Sequence, residues 1–274
     1  DLETSLKRSC DVYYYDLAIK VGIEKVSAMA RRFGLGTRHD VPMSAVSEGL
    51  TPTQQWKQTF HGQSWRVGDT VNASIGQGYL LASPLQLAVM TARIATGRSV
   101  EPRLIKSIDG VEQDLRGGES MGLNENNLRK MRRAMHVTVN DRRGTAYGSR
   151  IIEDSVRMAG KTGTSQVRNI TAAERARGVI RNEDLPWERR DHALFVNYAP
   201  SEAPKIAVSV IVEHGGGGSK AAAPIARDIT LQALYGGPPP LEAYPSKDRE
   251  RVEEMQKKLN AMRPQANIGG RDQA

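Results

Sequence analysis

The chain has a single cysteine, Cys10, so it can form no internal disulfide. It has no run of the roughly 18 apolar residues that a membrane helix needs, and its opening Asp-Leu-Glu-Thr-Ser-Leu-Lys-Arg-Ser-Cys lacks the apolar stretch of a signal peptide. The histidines, at 39, 61, 136, 192 and 214, include no pair at helical spacing, which excludes a wholly local zinc motif. An initiator methionine is missing and residues 5–18 already read like the middle of a helical region, so the chain reads as a fragment. No internal repeat is visible.

What is present is a globular composition. With 274 residues, 39% apolar and 26% charged, the chain can bury a core as one large domain or two small ones. A formal charge of +8 would suit nucleic acid, an anionic membrane surface or an anionic polymer. The arginines are spread along the chain rather than gathered on one helix, which reads as a generally basic surface.

Between residues 2 and 33, Leu6, Val12, Leu17, Val21, Val26 and Met29 recur at mostly helical spacing and predict two or three short packed helices ending at Gly34. Residues 34–82, rich in Gly, Pro, Thr and Gln, read as a long ordered loop region around a cleft. Ser83-Pro84-Leu85-Gln86 supplies an N-cap, a first-turn proline and a capping-box glutamine for a helix that runs to Gly97. A strand is predicted at 103–108, then a helix from Glu125 to Asn140 capped by Asn124. Strands follow at 156–168, 192–198 and 205–213, and a helix at 220–234. Residues 169–191 read as a polar, mobile arm between the first two strands. The pattern predicts an α+β fold: a mostly antiparallel sheet of about three strands packed between helices. Two glycines and three prolines at 236–240 mark the end of the compact region, 1–236. Residues 237–274 read as a flexible or partly helical tail, with a charged helix available at 247–262.

Two fragments mimic an esterase, and their context rejects them. Gly118-Glu119-Ser120-Met121-Gly122 fits G-x-S-x-G, but a polar segment precedes it where a buried strand is needed. His214-Gly215-Gly216-Gly217 resembles an oxyanion loop, yet it trails that serine by 94 residues when it should lead it. The glycine run at 215–218 also lacks the spacing of a phosphate loop and reads as close backbone packing or a flexible turn. More is offered by Gly160-Lys161-Thr162-Gly163-Thr164. On a strand edge, bare glycines would let a ligand backbone lie against the strand. Lys161 would add positive charge, Thr162 a hydroxyl, and the Thr164 amide a donor for a developing oxyanion. Such an edge suits a peptide ending in a carboxylate. A plain edge strand with a solvated lysine fits those residues equally well until a second element joins them.

That element is Ser9-Cys10-Asp11. With Lys161-Thr162-Gly163, 152 residues on, it resembles two of the three motifs, S-x-x-K, S-x-[ND] and K-[ST]-G, that penicillin-binding transpeptidases carry in this order. Ile75-Gly76-Gln77-Gly78, ahead of the Ser83 helix, is similar to a further segment of class B members. The aspartate of the second motif, the arm after the third and the strand beginning Asp191-His192-Ala193 most resemble the penicillin-binding protein 2 group, the elongation-type enzymes. The likeness runs from residue 1 to about 236.

The resemblance implies a partial penicillin-binding, β-lactamase-like fold and a peptidoglycan D,D-transpeptidase. In that reaction an activated serine attacks the carbonyl between the last two D-alanines of a stem peptide, and D-alanine leaves. An amine of a neighbouring stem then resolves the acyl-enzyme; β-lactams mimic the donor and trap the serine. Ser9 and Lys161 would be catalytic, Ser9 relaying a proton and Lys161 lowering the proton affinity of its hydroxyl. Asp11, Thr162, Gly163 and Thr164 would bind substrate: Asp11 accepting from its amide, Thr162 holding its carboxylate, the Thr164 amide forming half of an oxyanion hole. No serine is followed three residues on by lysine, the nearest case being Ser5-Leu6-Lys7-Arg8, so the nucleophile is expected upstream and the chain inactive alone. Cys10 resembles a zinc ligand of some relatives and could equally be a small buried hydrophobe; no cofactor is otherwise required. The implied partners are stem peptides, β-lactams, a membrane-embedded glycosyltransferase and shape-determining proteins, not nucleic acid. The implied location is the periplasmic face of the bacterial inner membrane, with the anchor helix outside these residues. A transpeptidase-like scaffold that docks wall-synthesis proteins without chemistry is the competing reading.

Overall fold

The computed structural model describes residues 1–113 and 117–262. Three helices open the chain as the periodicity predicts: α1 (Leu2–Arg8), α2 (Asp11–Val21) and α3 (Ile23–Arg32). Two more, α4 (Gln54–His61) and α5 (Val67–Ser74), occupy the segment expected to be loop. Local caps start both of them. Thr53 Oγ1 accepts from the Trp56 amide at 3.1 Å, and Asp69 reaches back to the Arg66 amide at 2.7 Å. Buried Lys57 pairs with the same Asp69 at 2.6 Å and ties the two helices together.

The next helix, α6 (Pro84–Thr96), has the expected capping box, and its fully buried Gln86 also donates to the carbonyls of Thr37 and Glu48. The strand predicted at 103–108 shrinks to a two-residue ladder, β1 (Ser107–Ile108) against β2 (Val111–Glu112). Asp109 and Gly110, at φ 50° and 80°, make the tight turn between them. α7 (Glu125–Asn140) starts at Asn124, whose side chain caps it.

The main sheet has three antiparallel strands in the order β3 (Ala159–Ser165), β4 (His192–Ala199), β5 (Ile206–Val212). β3 is shorter than the predicted 156–168 because residues 154–156 turn in a 3₁₀ helix. Alternation along the strands fixes what each face meets. Ala159 and Tyr198 face Leu6, Ile94, Ala95 and Met135, from α1, α6 and α7. Ala193, Phe195 and Ala199 face the other way, onto Ala222, Ala223 and Ala226 of α9 (Ala222–Tyr235). Asn197 is fully buried on this face and donates to Thr230 at 2.8 Å. The sheet lies between helices, the α+β arrangement that the sequence predicts.

Two further expectations are corrected. Residues 169–191 are not a bare arm: α8 (Ala172–Arg177) and two 3₁₀ turns occupy them. Arg168 donates to both oxygens of Glu174 at 2.6 Å and holds that carboxyl down at about 2, while the Ile180 amide adds a third bond. Nor does the compact region end at 236. Beyond the prolines, Ala243, Tyr244 and Val252, the last on α10 (Ser246–Met262), enter the core that α9 covers. Arg227 of α9 is fully buried, donates to Asp228 at 2.9 Å and to Asp248 at 2.5 Å, and lies over the Tyr244 ring. Residues 263–274 of the expected tail lie outside the described residues.

Candidate active site

Ser9 caps the C-terminus of α1 at φ 51° and ψ 57°, a left-handed conformation that costs a serine roughly 1–2 kcal/mol. Its amide bonds to the Leu6 carbonyl at 3.2 Å, and the Cys10 amide to that of Ser5 at 2.9 Å, which closes the helix and turns the chain into α2. Ser9, Cys10 and Asp11 are all exposed at this corner. Lys161 arrives from β3. Its Nζ donates to Ser9 Oγ at 2.5 Å and to the Thr162 carbonyl at 2.7 Å. Burial brings the Lys161 ammonium down to about 8, against the pull of the Asp11 carboxylate, which raises it. The two motifs that the sequence separates by 152 residues therefore meet through one hydrogen bond.

β3 is an edge strand, with β4 on one side only. Gln77 Nε2 donates to the Thr164 carbonyl at 2.9 Å, and Lys161 reaches that of Thr162, so both carbonyls face the open edge. In an antiparallel strand a residue's N–H points to the same side as its C=O. The Thr164 amide thus also faces outward, where an oxyanion donor would have to be. Thr162 Oγ1 lies 2.9 Å from Thr145 Oγ1.

Gly160 of β3 serves the fold rather than a ligand. A Cβ on Gly160 would stand 2.6 Å from the Val196 carbonyl oxygen and 2.7 Å from the Phe195 ring. From the other strand of contact, a Cβ on Gly218 would lie 2.6 Å from the Gly163 carbonyl oxygen and 2.2 Å from that of Leu194. Of the glycine run at 215–218, Gly218 makes the close backbone packing against β3 and β4, and Gly215 packs against Val212. Strand side chains stand perpendicular to the sheet, so the edge is open by its position and needs no glycine to clear it.

Sequence reasoning missed two residues of this site. Gln77 belongs to a segment noticed for its likeness but given no role. Thr145 follows α7 in a turn with no local motif. Its amide donates to the Lys7 carbonyl at 3.3 Å, and buried Lys7 pairs with Asp141 at 3.3 Å, which fastens this turn to the helix that ends in Ser9. Cys10 gains no companions: among the described residues no group of three His, Cys, Asp or Glu side chains gathers that could hold a metal ion. Cys10 is exposed and so is not the small buried hydrophobe; the Asp and His ligands that the resemblance implies are expected upstream, outside these residues. Next to the Ser9 corner, α2, α3, α6 and α7 leave an apolar groove of about 670 Å³ lined by Tyr14, Leu17, Met29, Phe33, Ile94 and Met131. No described helix is long and apolar enough to cross a membrane.

Among known proteins, residues 1–231 match the model of the penicillin binding protein transpeptidase domain. The peptidoglycan D,D-transpeptidase MrdA of Haemophilus influenzae is 34% identical over 251 residues, 89% of this chain and 38% of that protein. MrdA of Acinetobacter baumannii is 37% identical over 235 residues, 82% of this chain and 34% of that one. The fold is similar to that of Pseudomonas aeruginosa PBP2 in complex with WCK 5153, with a TM-score of 0.71 at 37% identity over 85% of this chain and 48% of that one. It is similar also to PBP2 of Helicobacter pylori in its complex with MreC, with a TM-score of 0.71 at 33% identity over 86% of this chain and 40% of that one. The chain spans 38% and 34% of the length of the two curated relatives, well under half.

Proposed function

The chain belongs to the penicillin-binding protein transpeptidase family, among the MrdA and PBP2 proteins, and from that membership we propose that it forms one wall of a peptidoglycan D,D-transpeptidase active site. The observation that carries the reading is the 2.5 Å contact between Lys161 and Ser9 at an open strand edge.

In acylation, a serine from an S-x-x-K segment, which this chain does not contain, adds to the carbonyl of the penultimate D-alanine. The peptide C–N bond breaks, and the serine's proton reaches the departing D-alanine amine by way of Ser9 Oγ. Lys161, as an ammonium, donates to that oxygen and keeps it from holding the proton. The same cation and the Thr162 hydroxyl attract the terminal carboxylate. The Thr164 amide donates to the oxyanion, Gly163 joins the two threonines with its backbone against Gly218, and Asp11 accepts from the substrate's amide. Apolar residues of the nucleophile-bearing segment would cover the groove between α2, α3, α6 and α7, since an apolar surface of this kind marks an interaction site. The chain then acts within a longer protein and is inactive alone. The MreC complex of the Helicobacter protein supports a shape-determining partner for this one, and the reading carries with it a membrane-embedded glycosyltransferase and the periplasmic face of the inner membrane. A non-catalytic scaffold has no use for a lysine held on a serine.

The pH dependence of acylation tests the assignment. The second-order rate constant for acylation of the full-length protein by a penicillin reports on groups of the free enzyme. Lys161 acts in its charged form, so the rate is expected to fall as pH rises through about 8. Asp11→Asn removes the charge that supports the ammonium, which moves this falling limb to lower pH. A rate constant that stays flat from about pH 7 to 10 would sink the role given to Lys161.

A further inference from the structure

We infer that Thr145 is a positioning residue for the carboxylate site, holding the Thr162 hydroxyl with its proton toward the ligand; the inference rests on the transpeptidase reading above. The two hydroxyl oxygens are 2.9 Å apart, and neither has another hydrogen-bond partner among the described residues. A threonine hydroxyl carries one proton and can also accept. Whichever of the pair donates to the other, one O–H is left over. The cation on the neighbouring residue is Lys161, whose Nζ donates to the backbone carbonyl of Thr162. A spare hydroxyl proton and an ammonium on successive residues of an open strand edge are the chemistry of a carboxylate site. With Thr145 donating inward, the spare proton is that of Thr162.

Thr145 is fixed firmly enough to impose this arrangement. Its amide is bonded to the Lys7 carbonyl, and the next amide, of Ala146, to the Thr138 carbonyl at 3.1 Å. The turn before it is closed by the Arg143 amide on Asp141 Oδ1 at 2.8 Å, while the other oxygen of that carboxylate takes Lys7. Gly144 is pressed so close to α7 that a Cβ there would lie 2.2 Å from the Thr138 carbonyl oxygen. Ser9 ends the helix to which this turn is tied, so the proton relay and the carboxylate anchor share one support. Without the Thr145 hydroxyl, the Thr162 proton is free to turn to other acceptors, and its bond to the ligand weakens.

The test uses the full-length protein and two probes, benzylpenicillin and its methyl ester, which lacks the carboxylate. Thr145→Val keeps the shape and removes the hydroxyl. It is expected to slow acylation by benzylpenicillin about tenfold and acylation by the ester less than about twofold, so the acid-to-ester ratio falls. Thr145→Ser is expected to restore the ratio. Equal slowing with both probes means that Thr145 only supports the fold, and an unchanged rate with the acid means that it does nothing for the carboxylate; either overturns the inference. The wild-type protein serves as a check on the underlying reading: if benzylpenicillin acylates it and only the ratio fails to move, the inference falls alone. If the wild-type protein is not acylated at all, both fall.

Discussion

Replacing Lys161 with alanine is expected to slow acylation of the full-length protein by a penicillin about 10²–10⁴-fold, the range for loss of a group that acts in proton transfer. One nitrogen serves two places at once, Ser9 Oγ at 2.5 Å and the Thr162 carbonyl at 2.7 Å, and its charge also draws the ligand's carboxylate. Arginine is not expected to recover more than a small part of the rate, because a planar guanidinium cannot place a single nitrogen on both acceptors. A urea midpoint measured beside the rate separates loss of chemistry from loss of fold. Burial lowers the Lys161 pKa to about 8, below its unfolded value, so near pH 7 the charged side chain burdens the folded state, a burden relieved only as pH rises past 8. The alanine variant is therefore expected to unfold at the same urea concentration or a higher one. A rate within about threefold of wild type would remove Lys161 from the chemistry.

Asp248→Ala is expected to destabilise the protein by about 3 kcal/mol, seen as a lower urea midpoint and as cleavage by protease ahead of α10. Arg227 has no exposed side-chain surface, and Asp248 supplies one of its two carboxylates. Removing one partner of a buried pair leaves a charge that cannot return to water, which costs far more than the pair is worth on a surface. Asp228 remains at 2.9 Å, which keeps the expected loss at the lower end of the range for such deletions. Acylation is not expected to change, since Asp248 bonds to Arg227 of α9 and not to a residue of the site. A loss below about 0.5 kcal/mol would mark the contact as an ordinary surface ion pair and α10 as loosely held.

Those two variants also separate what the sequence shows from what it hides. Ser83 with Gln86 and Asn124 were legible because a helix cap is a contact between residues three apart, and β4 and β5 because burial on both faces leaves continuous apolar runs. The motif residues of the site, Ser9, Lys161, Thr162 and Thr164, were legible through their resemblance to a family, which set Ser9 and Lys161 in one site before any coordinates did. The docking of α10 was not legible: it depends on Asp248 meeting an arginine 21 residues earlier and on Val252, a lone apolar anchor in a charged helix. Thr145 was hidden for the same reason, since it gains meaning only when the turn after α7 folds against β3. Gly160 serves packing within the sheet rather than the open edge. The need of Gly160 for bare backbone comes from Val196 and Phe195, contacts that local sequence does not announce.

Mapping the serine that a fluorescent penicillin labels bears most directly on the proposed half-site. In the full-length protein the label is expected on the serine of an S-x-x-K motif. Residues 1–274 expressed alone are expected to carry no covalent label, because none of their serines has a lysine three positions on. A labelled serine inside these residues, Ser9 above all, would contradict the assignment of Ser9 as a relay and of this chain as the wall without the nucleophile.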